Sequence, residues 1–168
     1  MIRPATTADV PAILKIFDIA RAFMRQNGNF AQWTGAYPGE PEVLEDIRLG
    51  EEYVIEEGGE VVAAFTLMSR PEPTYAVITD GNWLQDGAYG TIHRIASSGK
   101  CRGVVQKAVD YALQFHTVLR CDTHADNHPM QRALRNAGFV HCGTVYMADG
   151  TPRMGFERCG ATDDPEQR

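Results

Sequence analysis

Two stretches of the chain carry the residue types that chemistry needs. The first is Tyr89 to Phe115, Y-G-T-I-H-R-I-A-S-S-G-K-C-R-G-V-V-Q-K-A-V-D-Y-A-L-Q-F. His93 lies in its first half, a β-favouring run with Ile92 and Ile95. An imidazole of ordinary pKa ~6.5 suits proton transfer near neutrality. Ser97-Ser98-Gly99 then makes a turn, and Lys100, Arg102 and Lys107 surround Gly103. From about Arg102 onward Val105, Ala108, Val109 and Ala112 recur at helical spacing. A basic, glycine-bearing turn that feeds a helix start is an anion site, because the first N–H groups of a helix lack partners and its dipole favours negative charge. The plainer readings are an ordinary strand-turn-helix unit with solvated cations, and a core histidine bonded to a backbone carbonyl.

The second stretch is Asp122-Thr123-His124-Ala125-Asp126-Asn127-His128. Strict alternation would place Asp122, His124, Asp126 and His128 on one strand face, a set that suits a zinc or iron hydrolase. Three features oppose it. The strand pattern ends near Asp122, Asp126 and Asn127 are helix-start residues before Pro129, and no supporting ligand stands out elsewhere. These residues read as loop and cap groups, no metal is expected, and Asp122 and His124 remain candidates to assist proton transfer.

The elements that must position these groups follow from the patterning. The 168 residues are 43% hydrophobic and 23% charged, which suits one domain, expected over residues 1–159 with a disordered polar tail over 160–168. A formal charge of −6 disfavours an extended nucleic-acid surface. No apolar run is long enough to span a membrane, and the start Met1-Ile2-Arg3-Pro4 lacks the layout of a signal peptide. Cys101, Cys121, Cys142 and Cys159 are widely spaced, as reduced thiols of a cytoplasmic protein would be.

In chain order the pattern predicts a short strand, then a helix with Val10, Ile13, Leu14, Phe17, Ala20 and Met24 inward. A loop rich in aromatics and glycine, Phe30 to Pro41, precedes a short helix over Glu42 to Leu49. Glu52–Glu56 and Val61–Ser69 form a hairpin across Gly58-Gly59, and Tyr75 to Trp83 is ambiguous. After the stretch containing His93 come a strand at Val118 to Asp122, a helix from Asn127 closed by Gly138, and a second hairpin across Asp149-Gly150. The order β-α-α-β-β-β-α-β-α-β-β describes an α/β (α+β) fold: a mixed, mostly antiparallel sheet of six to seven strands with about four helices on both faces.

That order, with a basic turn after the fourth strand, resembles the GNAT superfamily of acetyl-CoA-dependent N-acetyltransferases over Met1 to about Arg158. The family turn Arg/Gln-x-x-Gly-x-Gly/Ala is matched in degenerate form by Lys100-Cys101-Arg102-Gly103-Val104-Val105, with Val105 in place of the second small residue. A second signature, Asn before a helix that ends in Gly-Phe, is matched by Asn127, Gly138 and Phe139. The resemblance implies that the fourth and fifth strands splay apart, and that acetyl-CoA donates the acetyl group in the gap. Its pyrophosphate would take backbone N–H bonds over Cys101, Arg102, Gly103, Val104, Val105, Gln106 and Lys107, with Lys100 alongside. Its pantetheine arm would pair with main-chain groups of Ile95 and Ala96 and bond Asn127, which can also simply cap its helix.

The reaction so implied is attack of a primary amine on the acetyl thioester within a ternary complex. His93 is the first candidate for the base, read as sharing a strand face with Ile95, and Tyr89 is a weaker one. The family's tyrosine acid falls at Leu134, which leaves Tyr146 or Cys142, or an unassisted thiolate. Trp33, Tyr37 and His124 are the candidate substrate contacts, Trp33 alternatively being a plug over the sheet. The acceptor is a small-molecule or peptide amine, and a homodimer is allowed. A coenzyme A binder without turnover is the alternative that the Leu134 and Val105 departures sustain.

Overall fold

Two glycine turns and one helical crossover fix how the strands can pair. In the computed structural model, which describes residues 1–160, the elements are β1 (Ile2–Pro4), α1 (Val10–Gln26), α2 (Glu40–Arg48), β2 (Glu52–Glu57), β3 (Glu60–Met68), β4 (Gly90–Ser97), α3 (Val104–Ala112), β5 (Val118–Thr123), α4 (His128–Asn136), β6 (Val140–Tyr146) and β7 (Pro152–Cys159). The expected polar tail beyond Gly160 lies outside the described residues. Gly58 and Gly59, at φ 58° and 79°, make the two-residue turn that joins β2 to β3. The strands form one sheet in the order β1-β2-β3-β4-β5-β7-β6. Among the described residues only β4 and β5 run parallel, joined by the crossover through α3. This is the mixed α/β sheet expected from the element order.

The helices cover both faces. On one side Ile13, Phe17 and Val43 of α1 and α2 pack on Val54, Ala64 and Ala96. On the other side Ala108, Val109 and Leu134 of α3 and α4 pack on Phe65, Ile92, Leu119 and Phe156. All four cysteines are unpaired. Among the described residues no helix is long and apolar enough to cross a membrane.

Two irregularities of β4 create the site. First, Ala64 faces Ala96 and Thr66 faces His93, so Phe65 alone stands opposite both Arg94 and Ile95. This is a β-bulge, and Arg94 takes φ 48° within it. Ile92 and Ile95 are three residues apart, yet both pack against the cluster under α3. His93, opposite Thr66, therefore looks to the α2 side, and it does not share a face with Ile95 as unbroken alternation would have it. Second, the parallel pairing is short: Gly90 faces Leu119 and Thr91 faces Arg120, and then β4 and β5 part.

The connection from Ala76 to Tyr89, ambiguous in sequence, is tied down by a buried ion pair. Arg120 of β5 bonds Glu157 of β7, with side chains 6% and 0% exposed. The Arg120 guanidinium lies between the rings of Trp83, at 4.2 Å, and Tyr89, at 4.0 Å. It also donates to Gln85 O at 2.8 Å, while Glu157 accepts from Leu84 N at 2.7 Å.

Candidate functional site

Where β4 and β5 part, a cleft of about 660 Å³ opens. Its wall is Ile92 to Ile95 on β4, Cys121 to Thr123 on β5, Glu72 to Thr74 above, the loop carrying Trp33 and Tyr37, and Arg153 of β7. Past Thr91 the β5-facing side of β4 has no strand partner among the described residues, so this edge is open for an added extended chain.

His93 stands in this cleft between two carboxylates. Its Nε2 lies 2.7 Å from Glu72 Oε2, and its Nδ1 lies 3.9 Å from Asp122 Oδ2. Burial pushes the Glu72 carboxyl up, but the hydrogen bond and charge of His93, with two bonds from Thr74, outweigh it and hold it at about 2. Glu72 is thus ionised at neutral pH and can only accept, which fixes the His93 proton on Nε2 and leaves Nδ1 toward Asp122. Tyr75, fully buried with its phenol pushed well above 10 by burial and by the nearby Asp122, donates its hydroxyl to Asp122. Glu72 and Tyr75 escape sequence reading because Pro71-Glu72-Pro73 marks only a break. The available signal is an acid placed to cap the short 3-10 turn Pro73–Tyr75, and Glu72 does accept from Thr74 N.

Beneath His93 lies a second acidic group. Thr66 Oγ1 is 3.2 Å from Asp46 Oδ2 and 3.0 Å from Glu52 Oε2. A hydroxyl has one hydrogen, so with two carboxyl partners one of them must itself carry a proton and donate. Burial pushes Glu52 up to about 8, and it is the protonated partner at neutral pH. Asp46, also raised by burial, is offset by Arg94, which bonds it and Tyr37 Oη and so braces the bulge against α2. The Glu52 contribution to stability is full below the ordinary value of 4.5 and is lost as pH rises through about 8. Glu52→Gln should therefore flatten the fall in stability between pH 5 and pH 9 by on the order of 4 kcal/mol, measured by urea unfolding.

The basic turn is present, with a modified donor set. α3 starts at Val104, two residues later than its apolar pattern suggests, and Gly103 caps it at φ 67°, in the left-handed region. Gly99 N and Lys100 N are taken by the hydroxyls of Ser97 and Ser98, and Lys107 N bonds Gly103 O inside the helix. That leaves the N–H groups of Cys101, Arg102, Gly103, Val104, Val105 and Gln106 without a hydrogen-bond partner among the described residues. The Val105 side chain packs against the cluster under α3. Lys100 and Lys107 pair with Glu60 and Glu57 of the β2–β3 hairpin. Cys101 is buried, its sulfur 3.1 Å from Lys107 Nζ. Arg102 is exposed and has no carboxylate partner among the described residues.

The remaining candidates divide. Asn127 caps α4 by accepting from Met130 N at 3.2 Å, ties to Gln32 Oε1 at 3.1 Å, and borders the cleft. Trp33 is 8% exposed and sits edge-on to Phe17, so it is a plug of the core whose rim borders the cleft. Tyr37 is exposed there, its hydroxyl held by Arg94. Tyr146 lies on the outer strand β6, bonded to Thr79, and is not among the cleft residues; the order β7-β6 puts its strand at the sheet edge. His124 is likewise outside the cleft wall, with Nδ1 accepting from Asp126 N at 3.0 Å. Cys142 is buried on that same outer strand, its thiol pushed up by burial. Leu134 is buried in the core. Alternation over Asp122 to His128 ends with β5 at Thr123, and among the described residues no three His, Cys, Asp or Glu side chains form a metal group.

Comparison with solved structures places this geometry. An acetyltransferase of the GNAT family from Streptococcus agalactiae is 30% identical, with 96% of each chain covered and a TM-score of 0.88. A ribosomal-protein-alanine N-acetyltransferase from Brucella melitensis shares the fold at 20% identity, 95% and 99% coverage and a TM-score of 0.62. AAC(6')-Ib, solved with ribostamycin and coenzyme A, does so at 19% identity, 95% and 92% coverage and a TM-score of 0.64. No family model and no curated protein matches the sequence. With a parallel pair that parts at Thr91, a turn that feeds α3, and end-to-end similarity to the streptococcal protein, this chain belongs to the GNAT family of acetyltransferases.

Proposed function

We propose that the protein moves an acetyl group from acetyl-CoA to a primary amine, by direct attack within a ternary complex. The observation that carries this reading is His93, fixed at Nε2 by Glu72 and free at Nδ1, beside the open edge of β4.

The residues present fit the donor. The N–H groups over Cys101 to Gln106 and the Arg102 side chain would hold its phosphates. The unpaired edge of β4 past Thr91, including the main chain at Ile95 and Ala96, would take its extended arm. Bound there, acetyl-CoA supplies the acyl carbon to which the amine nitrogen bonds as the carbon–sulfur bond breaks. An aliphatic amine of pKa ~10 arrives mostly protonated, so a base must take its proton first, and His93 Nδ1 is placed to do so. With Leu134 in the core and Tyr146 outside the cleft, the thiolate leaves without a side-chain acid and takes its proton from water.

The direct test is release of free thiol from acetyl-CoA across a panel of amines. Binding of coenzyme A without thiol release from any amine would replace this reading with that of a silent binder. Arg102→Glu should weaken coenzyme A binding about tenfold by calorimetry, since a charge-assisted contact becomes a repulsion. Unchanged affinity would move the phosphate site away from this turn.

A further inference from the structure

The cleft holds charges of both signs, arranged on one sheet face, and they describe the acceptor. His93 Nδ1 and Asp122 Oδ2 are 3.9 Å apart, too far to bond each other. A nitrogen about 2.8 Å from each fits between them. Tyr75 and Glu72 hold the two groups from behind, so both face the cleft with capacity to spare. An ammonium bound there gives one proton to Nδ1 and keeps a second N–H on Asp122. Its freed lone pair then attacks the acetyl carbon; as the carbon–sulfur bond breaks, coenzyme A leaves as the thiolate, and the second proton on the new amide nitrogen passes through water, which protonates the thiolate.

Asp122 pairs with Gly155 of β7, and Arg153 is two residues before Gly155. Asp122 and Arg153 therefore share a sheet face, about 7 Å apart along the strands. The other cations of the cleft are engaged: Arg94 on Asp46, and Arg70 on both oxygens of Glu51. Arg153 donates only to neutral oxygens, Thr151 Oγ1 at 3.4 Å and Pro152 O at 2.9 Å. Asp149 lies near enough to feel its charge but bonds Thr151 instead, and the partly buried His124 beside it feels the same positive charge. Among the described residues Arg153 has no carboxylate partner, and it lines the cleft.

We infer that the acceptor is an amine carrying an anionic group, a carboxylate or a phosphate, a few bonds away. Asp122 with His93 holds the ammonium end and Arg153 holds the anion. This rests on the transferase reading above and adds the acceptor's second group to it.

The test compares ω-amino acids from glycine to 6-aminohexanoate, and aminoalkyl phosphates, each with the alkylamine and the diamine of matching length. The readout is kcat/KM for thiol release. The anionic acceptor should exceed its alkylamine by about ten- to hundredfold at the best length. The carboxylate and phosphate series show which anion is taken. In Arg153→Gln, with coenzyme A binding retained as the check of folding, that ratio should fall to about one, and Arg153→Glu should turn the preference to diamines. If Arg153→Gln fails to bind coenzyme A, Arg153→Lys reads the same ratio and should keep only part of it. Preference for alkylamines or diamines at every length, or a ratio unchanged by the substitution, overturns the inference and leaves the transferase reading standing. Absence of thiol release from every amine overturns both.

Discussion

His93→Ala lowers kcat about 10²- to 10³-fold and leaves the affinity for coenzyme A within about twofold. The size follows from the usual worth of one positioned proton acceptor. The split between the two constants follows from the fold. His93 sits in the middle of β4 on the α2 side, while the turn that would hold phosphates lies beyond the end of that strand, at the start of α3. Loss of the imidazole removes the acceptor for the amine's proton and leaves the open β4 edge intact. Imidazole added to solution should restore part of the rate, which a purely structural histidine would not allow. The structural alternative is specific: His93 does no more than tether the Glu72 segment through their 2.7 Å bond. In that case the variant keeps its kcat and loses only stability, and the measurement of both quantities decides between the two.

Glu157→Leu costs about 3–5 kcal/mol of stability, the range for breaking a buried ion pair from one side. Against a total of about 5–15 kcal/mol this is a large share. The carboxylate is fully buried and accepts from Arg120, Leu84 N and Gln85. Without it the Arg120 charge stays buried between Trp83 and Tyr89, and the Leu84 N–H loses its partner. Arg120→Met combined with Glu157→Leu should cost less than the single change, because no uncompensated charge remains. Urea unfolding of the three proteins measures this. A single-variant cost under about 1 kcal/mol would mean that water reaches the pair. The clasp also reaches the site: Trp83 donates to Tyr75 O, and Tyr75 fixes Asp122, so the single variant should lose turnover as well.

The legible part of the site was that built from neighbours in sequence. Gly58-Gly59 makes its hairpin because two adjacent glycines accept positive φ. Ser97 to Gly103 makes its turn, and Asn127 caps α4, because these are local preferences of short polar side chains and glycine. His93 was found for the same reason: a titratable side chain within an apolar strand pattern stands out by type alone.

What alternation suggested about its surroundings failed where the backbone departs from period two. The bulge at Arg94 turns Ile95 away from the face that His93 occupies, and no residue of that stretch announces it. Glu72, Asp46 and Arg153 join the cleft, and Tyr75 backs Asp122, from segments far apart in sequence, so their roles are set by which strands neighbour β4. Tyr146 and His124 look equally able on paper, and the strand order and helix start put both outside the cleft. Short-range backbone preference is enough to read the elements, the hairpins and the glycine turn before α3 from the chain alone. The tertiary structure decided which charges face one another across the gap between β4 and β5, because that depends on a two-pair ladder that ends at Thr91 and on a bulge that packing alone selects.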